Sequence, residues 1–182
     1  MAFWSERTLE PKRSFKYLMN FSNWGIDYII KTADKPGFEV SETEHQFLNH
    51  TYYYPGRVTW NEITVTMVDP ASPDASATLM AILQHSGYNL PWGPKEAMSD
   101  VITKKDSCDA LGTVFLKQIG GSASDVIEEW TLENAWIKNV EFGSLDYGSE
   151  DLVEISITIR YDYAEMSRSG TPFGPGPKPG PK

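Results

Sequence analysis

The sequence is poor in several things that would otherwise assign it a class. Of its 182 residues one is cysteine and three are histidine, and 16 Lys and Arg face 25 Asp and Glu. The lone Cys108 excludes an intrachain disulfide and a zinc site built mainly on thiolates. No apolar stretch approaches the ~18 residues a membrane-spanning helix needs. The first residues, Met-Ala-Phe-Trp-Ser-Glu-Arg, reach charge before any apolar run, unlike a secretory signal. The expectation is a soluble protein made in a reducing cytoplasm. Net charge is −9, and the last sixteen residues carry only Arg168, Lys178 and Lys182; setting aside that +3 leaves −12 on residues 1–166. Gripping a nucleic-acid backbone needs clustered Lys and Arg. The acidic body argues against holding DNA or an anionic membrane surface, though not against DNA passing close by.

Catalytic constellations are equally sparse. His45 and His50 are five apart, which on one regular strand sends them to opposite faces and away from a shared metal. His85 has no ligand partner nearby in sequence, and nothing around Cys108 would activate a nucleophile. Glu128-Glu129 and Glu150-Asp151 are adjacent pairs, so a strand would point their members apart rather than form a glycosidase dyad. Asp146, Glu150 and Asp151 lack the calcium-loop spacing. Gly174, Gly176 and Gly180 alternate with prolines and cannot form a phosphate-cradling turn before a helix. The sequons at Asn20 and Asn49 mean nothing without a secretory route. No enzyme, metal or cofactor is expected.

What is present is alternation. A chain of this length can bury roughly 70% of its unfolded surface in a single core. Phe15, Tyr17, Met19 and Phe21 follow period two, Ile26–Thr32 is short and β-branched, and Lys35-Pro36-Gly37 turns the chain. Pro55-Gly56 reads as a second turn, leading into a strand over 57–69. Its apolar side switches from Val58 and Trp60 to Ile63, Val65 and Met67 near Asn61-Glu62, a bulge or a passage between two environments. One helix is marked by Ser72 as cap, Pro73 and Asp74, the stripe Ala75, Leu79, Ile82, Leu83 and Ser86, and the stop Gly87. Residues 88–108 read as a long loop with at most a helical turn, followed by a strand at Thr113–Ile119. Val126–Lys138 and Leu152–Tyr163 read as two further strands, each with one apolar and one polar side. The fold class is mainly β: about seven strands in a sandwich or barrel with one substantial helix. Residues 1–166 form the domain. The tail, 167–182, has five Pro and four Gly and reads as an extended or disordered linker.

Three blocks carry a family resemblance. They are Glu44-His-Gln-Phe-Leu-Asn-His-Thr-Tyr-Tyr-Tyr-Pro-Gly-Arg-Val-Thr-Trp through Asp69-Pro70, Trp130-Thr-Leu-Glu-Asn-Ala-Trp through Glu154-Ile155, and Lys35-Pro-Gly-Phe-Glu-Val. Together they resemble the tail tube proteins of contractile-tailed bacteriophages over roughly residues 12–166; the Pro/Gly tail departs from the usual family ending. The resemblance implies a β-sandwich or barrel subunit forming hexameric rings that stack into a tube. Through the tube DNA leaves the capsid inside a contracting sheath, in the tail of a virion. It implies partners in further copies of the chain and in sheath, baseplate and terminator proteins, with DNA passing unbound. It carries no catalytic residues. It also implies that residues Phe38 to Tyr54 form a hairpin or loop reaching toward the adjacent ring.

The candidate inter-subunit residues are therefore His45, Phe47, Tyr52, Tyr53 and Tyr54, since tyrosines offer large contact area with a polar tip. Glu129, Glu133, Glu154 and Asp162 are candidates for a polar face turned to solvent or to a lumen, where an acidic wall repels phosphates over roughly 8 Å. Alternatives are a baseplate tube initiator or a related secretion-tube ring protein and, from another class, a monomeric β-barrel that binds a small ligand.

Overall fold

Alternation is satisfied by two sheets facing one core. The computed structural model describes residues 11–24, 29–89, 101–121 and 125–168, and the backbone of 171–172. The first sheet has five strands in the order β1 (Tyr17–Phe21), β6 (Val114–Ile119), β7 (Val126–Glu133), β10 (Tyr163–Arg168) and β11 (Thr171–Pro172). The second has four: β2 (Ile30–Ala33), β5 (Ile63–Val68), β9 (Glu154–Arg160) and β8 (Trp136–Glu141). Neighbouring strands in both are antiparallel. Met19, Phe21, Val114, Leu116 and Leu132 come in from the first sheet. Ile63, Val65, Met67, Ile155, Ile157 and Ile159 meet them from the second. Each such side chain contributes roughly 1.5–3 kcal/mol by leaving water, so this layer is what the fold rests on.

Three segments read as single strands are each two strands in different sheets. The one expected over 57–69 breaks at Asn61-Glu62, where its apolar side switches, and goes on as β5: a passage between two environments. Val126–Lys138 breaks at Asn134, whose φ of 54° turns the chain out of β7 and into β8. Leu152–Tyr163 breaks at Tyr161-Asp162, between β9 and β10. In the sequence the apolar period runs straight through each of these last two crossings (Trp130, Leu132, Trp136; Ile159, Tyr161, Tyr163) and so hides it. Beyond it the sides do part: Tyr161 is buried, whereas Tyr163 is exposed. The two crossings lie side by side, with the Asp162 amide donating to the Glu133 carbonyl at 3.0 Å. The five-stranded sheet also continues past the expected domain end at Met166, because β10 runs to Arg168 and pairs with Thr171–Pro172. The rest of the Pro/Gly tail lies outside the described residues, as do residues 1–10, the start of the strand expected at Ile26, and residues 90–100 of the expected loop.

The predicted helix is α1 (Ala75–His85), burying Ala75, Leu79 and Ile82. Its cap is Asp74 rather than Ser72: the Asp74 carboxylate accepts from the Ala77 amide at 2.9 Å. Gly87 ends it with φ 103°, and a Cβ there would come 2.8 Å from the Val101 carbonyl oxygen. The segment expected to be loop contains a second helix, α2 (Lys104–Leu111). Thr103 caps it, accepting from the Asp106 amide at 3.1 Å, and Leu111 reaches the core. The Thr103–Asp106 spacing was its sequence signal. Among the described residues no helix is long and apolar enough to cross a membrane.

Candidate functional site

The remaining strands, β3 (Phe38–Phe47) and β4 (His50–Trp60), form a sheet of their own. All of β3 is exposed, and β4 is exposed except at Thr51 and Trp60, which are partly buried. The turn is at Leu48-Asn49, with Phe47 paired to His50. Pro55-Gly56, read as a turn from composition, instead lies inside β4 at an irregularity in register. Ser41 explains the glycine: a Cβ at Gly56 would come 2.4 Å from Ser41 Oγ, which accepts from the Arg57 amide at 2.8 Å. Proline is tolerated at such a place because a bulge spares its missing N–H. At the base the Asn61 amide donates to the Gly37 carbonyl at 2.8 Å. Phe38, Trp60 and buried Tyr161 form an aromatic chain into the core, with centroids 5.5 and 6.1 Å apart. The hairpin is thus anchored at one end and bare along both faces.

Register sorts the candidate residues. Phe47–His50, His45–Tyr52 and Thr43–Tyr54 alternate with Gln46–Thr51, Glu44–Tyr53 and Glu42–Pro55. Directly paired residues share a face, so His45, Phe47, Tyr52 and Tyr54 lie together and Tyr53 lies opposite, among Glu42 and Glu44. His50 joins the aromatic face, its ring edge-on to Tyr52 at 4.7 Å. This corrects the reading of His45 and His50: the turn between them places them on facing strands and the same face, because five-residue spacing opposes side chains only within one strand. Among the described residues no group of three or more His, Cys, Asp or Glu is arranged to hold a metal ion.

The four candidate carboxylates do not share a face. Glu129 and Glu133 point from β7 to the outside of the five-stranded sheet; Glu129 pairs with Lys117 at 3.3 Å, and Glu133 lies opposite Tyr163. Glu154 is on the outside of the four-stranded sheet, ion-paired with Lys31. Asp162 is at the sheet crossing, accepting from Lys104 Nζ at 2.6 Å and Asn134 Nδ2 at 2.8 Å. The Lys104 hydrogen bond, helped by Asn134, holds its carboxyl below the usual range. The outer side of the four-stranded sheet is rich in short hydroxyls, with Thr64 beside Thr158 and Thr66 beside Ser156.

At the hairpin base lies a cleft of about 600 Å³, walled by Val58, Trp60, Ile102, Trp136 and Tyr161, with Lys104, Arg160 and Asp162 among its polar lining. Sequence reasoning missed it, because its walls come from β4, the approach to α2, β8 and the β9–β10 crossing. No local pattern joins them.

No protein-family model and no curated protein matches the sequence. Solved structures match the fold. A chain of the anti-feeding prophage baseplate, a six-fold symmetrised cryo-EM structure, superposes with a TM-score of 0.63 at 14% identity, over 89% of this chain and 99% of its own. A chain of the tube-terminating cap of the anti-feeding prophage gives 0.63 at 11% identity, over 88% and 93%. One from the sheath-tube complex of the PVC extracellular contractile injection system, in the extended state, gives 0.60 at 12%, over 87% and 92%. The chain, mainly β with two short helices among the described residues, therefore has a fold found in chains of contractile injection machines.

Proposed function

We propose that this chain is the repeating subunit of a tube, assembled as stacked hexameric rings inside a contractile sheath, and that its tube is a bacteriophage tail through which DNA leaves the virion. The observation that carries the reading is the Phe38–Trp60 hairpin. Two strands alone are marginal in water. These expose Phe38, Val40, Phe47, Leu48, Tyr52, Tyr53, Tyr54 and Val58. Contiguous apolar exposure of that kind marks an interaction surface, and in a homopolymer the covering partners are other copies. The fold shared with chains of sheathed tubes and their caps supports the same reading, and it suggests sheath, baseplate and terminator proteins as partners. The phage assignment rests on the sequence blocks at 44–70 and 130–155.

The role is structural rather than catalytic. An acidic subunit suits a conduit for DNA, because a basic wall would hold the phosphates it must pass. The test is to image the purified full-length chain as its concentration rises. Tubes of uniform bore are expected; a protein that stays monomeric in sedimentation at every concentration overturns the proposal.

A further inference from the structure

We infer that the hairpin tip, Phe47 and Leu48, seats in the Trp60–Trp136 cleft of a second copy of this chain, an inference that rests on the tube reading and names the contact that builds it. The tip is built to be covered. Leu48 is 89% exposed and held at φ 54°, a backbone region costly for a bulky side chain. Asn or Gly would be less strained there, so the strain of the exposed leucine is one that contact with a partner would offset. Phe47 beside it is 61% exposed. Outliers of this kind are characteristic of binding segments.

The cleft has the matching chemistry. Val58, Trp60, Ile102, Trp136 and Tyr161 give it an apolar wall within a polar rim, and its volume of about 600 Å³ lies inside the ~300–1,000 Å³ that accommodates a drug-sized ligand, ample for two side chains. Charge agrees as well. The hairpin Phe38–Trp60 holds Glu39, Glu42 and Glu44 against Arg57, a charge of −2, whereas Lys104, Arg160 and the neighbouring Lys138 against Asp162 and Glu62 leave the cleft and its rim at +1. The hairpin's 23 residues, Phe38–Trp60, also match the ~20–30 residues a side of a standard interface.

Geometry excludes the same copy. Tip and cleft stand at opposite ends of β4, whose 11 residues span roughly 35 Å at ~3.4 Å each. A hairpin therefore reaches only the cleft of another subunit, and the contact is head-to-tail. Head-to-tail contacts close into rings or run on as filaments, the two symmetries a stacked tube combines.

The experiment uses the full chain and two variants, F47S/L48S at the tip and Ile102→Glu in the cleft. Both change exposed side chains, and thermal melts confirm folding; Ile102→Ser replaces the second if Glu disturbs the cap of α2. Each variant alone is expected to raise the concentration needed for assembly roughly tenfold or more, the effect of losing one buried apolar anchor. Mixed together they keep one intact tip and one intact cleft, so sedimentation should show a one-to-one complex that neither forms alone. A mixture that stays monomeric, or variants that assemble as readily as the unaltered chain, overturns this contact while leaving the tube reading in place. An unaltered chain that never associates overturns both.

Discussion

Glu128 illustrates how much one side chain can do at a place where sequence promised little. It faces inward from β7, only 10% exposed at its side chain, and accepts from Lys12, from Trp130 Nε1 and from Lys35 Nζ at 3.0 Å. Burial pushes its carboxyl up, but those three donors outweigh burial and bring it to about 2, below the ordinary 4.5. A carboxyl with a depressed folded value stabilises the fold above its unfolded value, and that contribution drains as pH falls from about 4.5 to about 2. Both lysines are about half exposed, so solvent screens the pair. Glu128→Gln should cost about 1–3 kcal/mol at neutral pH. Its melting temperature should also depend less steeply on pH across that acid window. Parallel thermal melts check both, and identical acid slopes would show that the cluster stabilises nothing.

At the scale of elements, the hairpin's two faces carry different expectations. Tyr52→Ser with Tyr54→Ser strips the aromatic face that holds His45, His50 and Phe47, whereas Tyr53→Ser alters the face of Glu42 and Glu44. The double substitution should raise the assembly concentration several-fold more than the single one, by light scattering. All three residues project from exposed strand, so the monomer should melt unchanged. The sheets carry a second expectation. Glu129 and Glu133 lie outside the five-stranded sheet and Glu154 outside the four-stranded one, so the wall of the proposed tube cannot present all three from a single sheet. If the chain lines a phage tail as proposed, lysine at positions 129 and 133, or at 154, should slow DNA ejection at low salt in one case only. The slowed variant identifies the sheet that lines the lumen. Equal slowing would rule out a wall built from a single sheet.

The whole molecule brings a general electrostatic term. Subunits of net charge −9 repel one another. The repulsion reaches roughly 30 Å at 0.01 M salt and roughly 8 Å at 0.15 M. Adding salt should lower the concentration at which the chain assembles, followed by turbidity or sedimentation. Assembly weakened by salt would instead assign the joint to ion pairs rather than to the apolar hairpin.

Period-two alternation in Tyr17–Phe21, Ile63–Val68 and Glu154–Arg160 was enough to determine a β protein with one packed core, because burying alternate side chains is a local requirement on each strand. The stripe from Ala75 to Ile82 determined α1 for the same reason. The tertiary structure alone decided that the chain changes sheet at Asn134 and at Tyr161-Asp162, since the apolar period of the sequence runs on through both although the inward side switches there. It likewise decided which candidate residues keep company. Pairing across the turn at Leu48-Asn49 put His50 with His45 and Tyr52 and sent Tyr53 away, and four separate segments closed around the cleft at Trp60 and Trp136. Such meetings depend on register and on long-range packing, which no spacing along a single chain encodes.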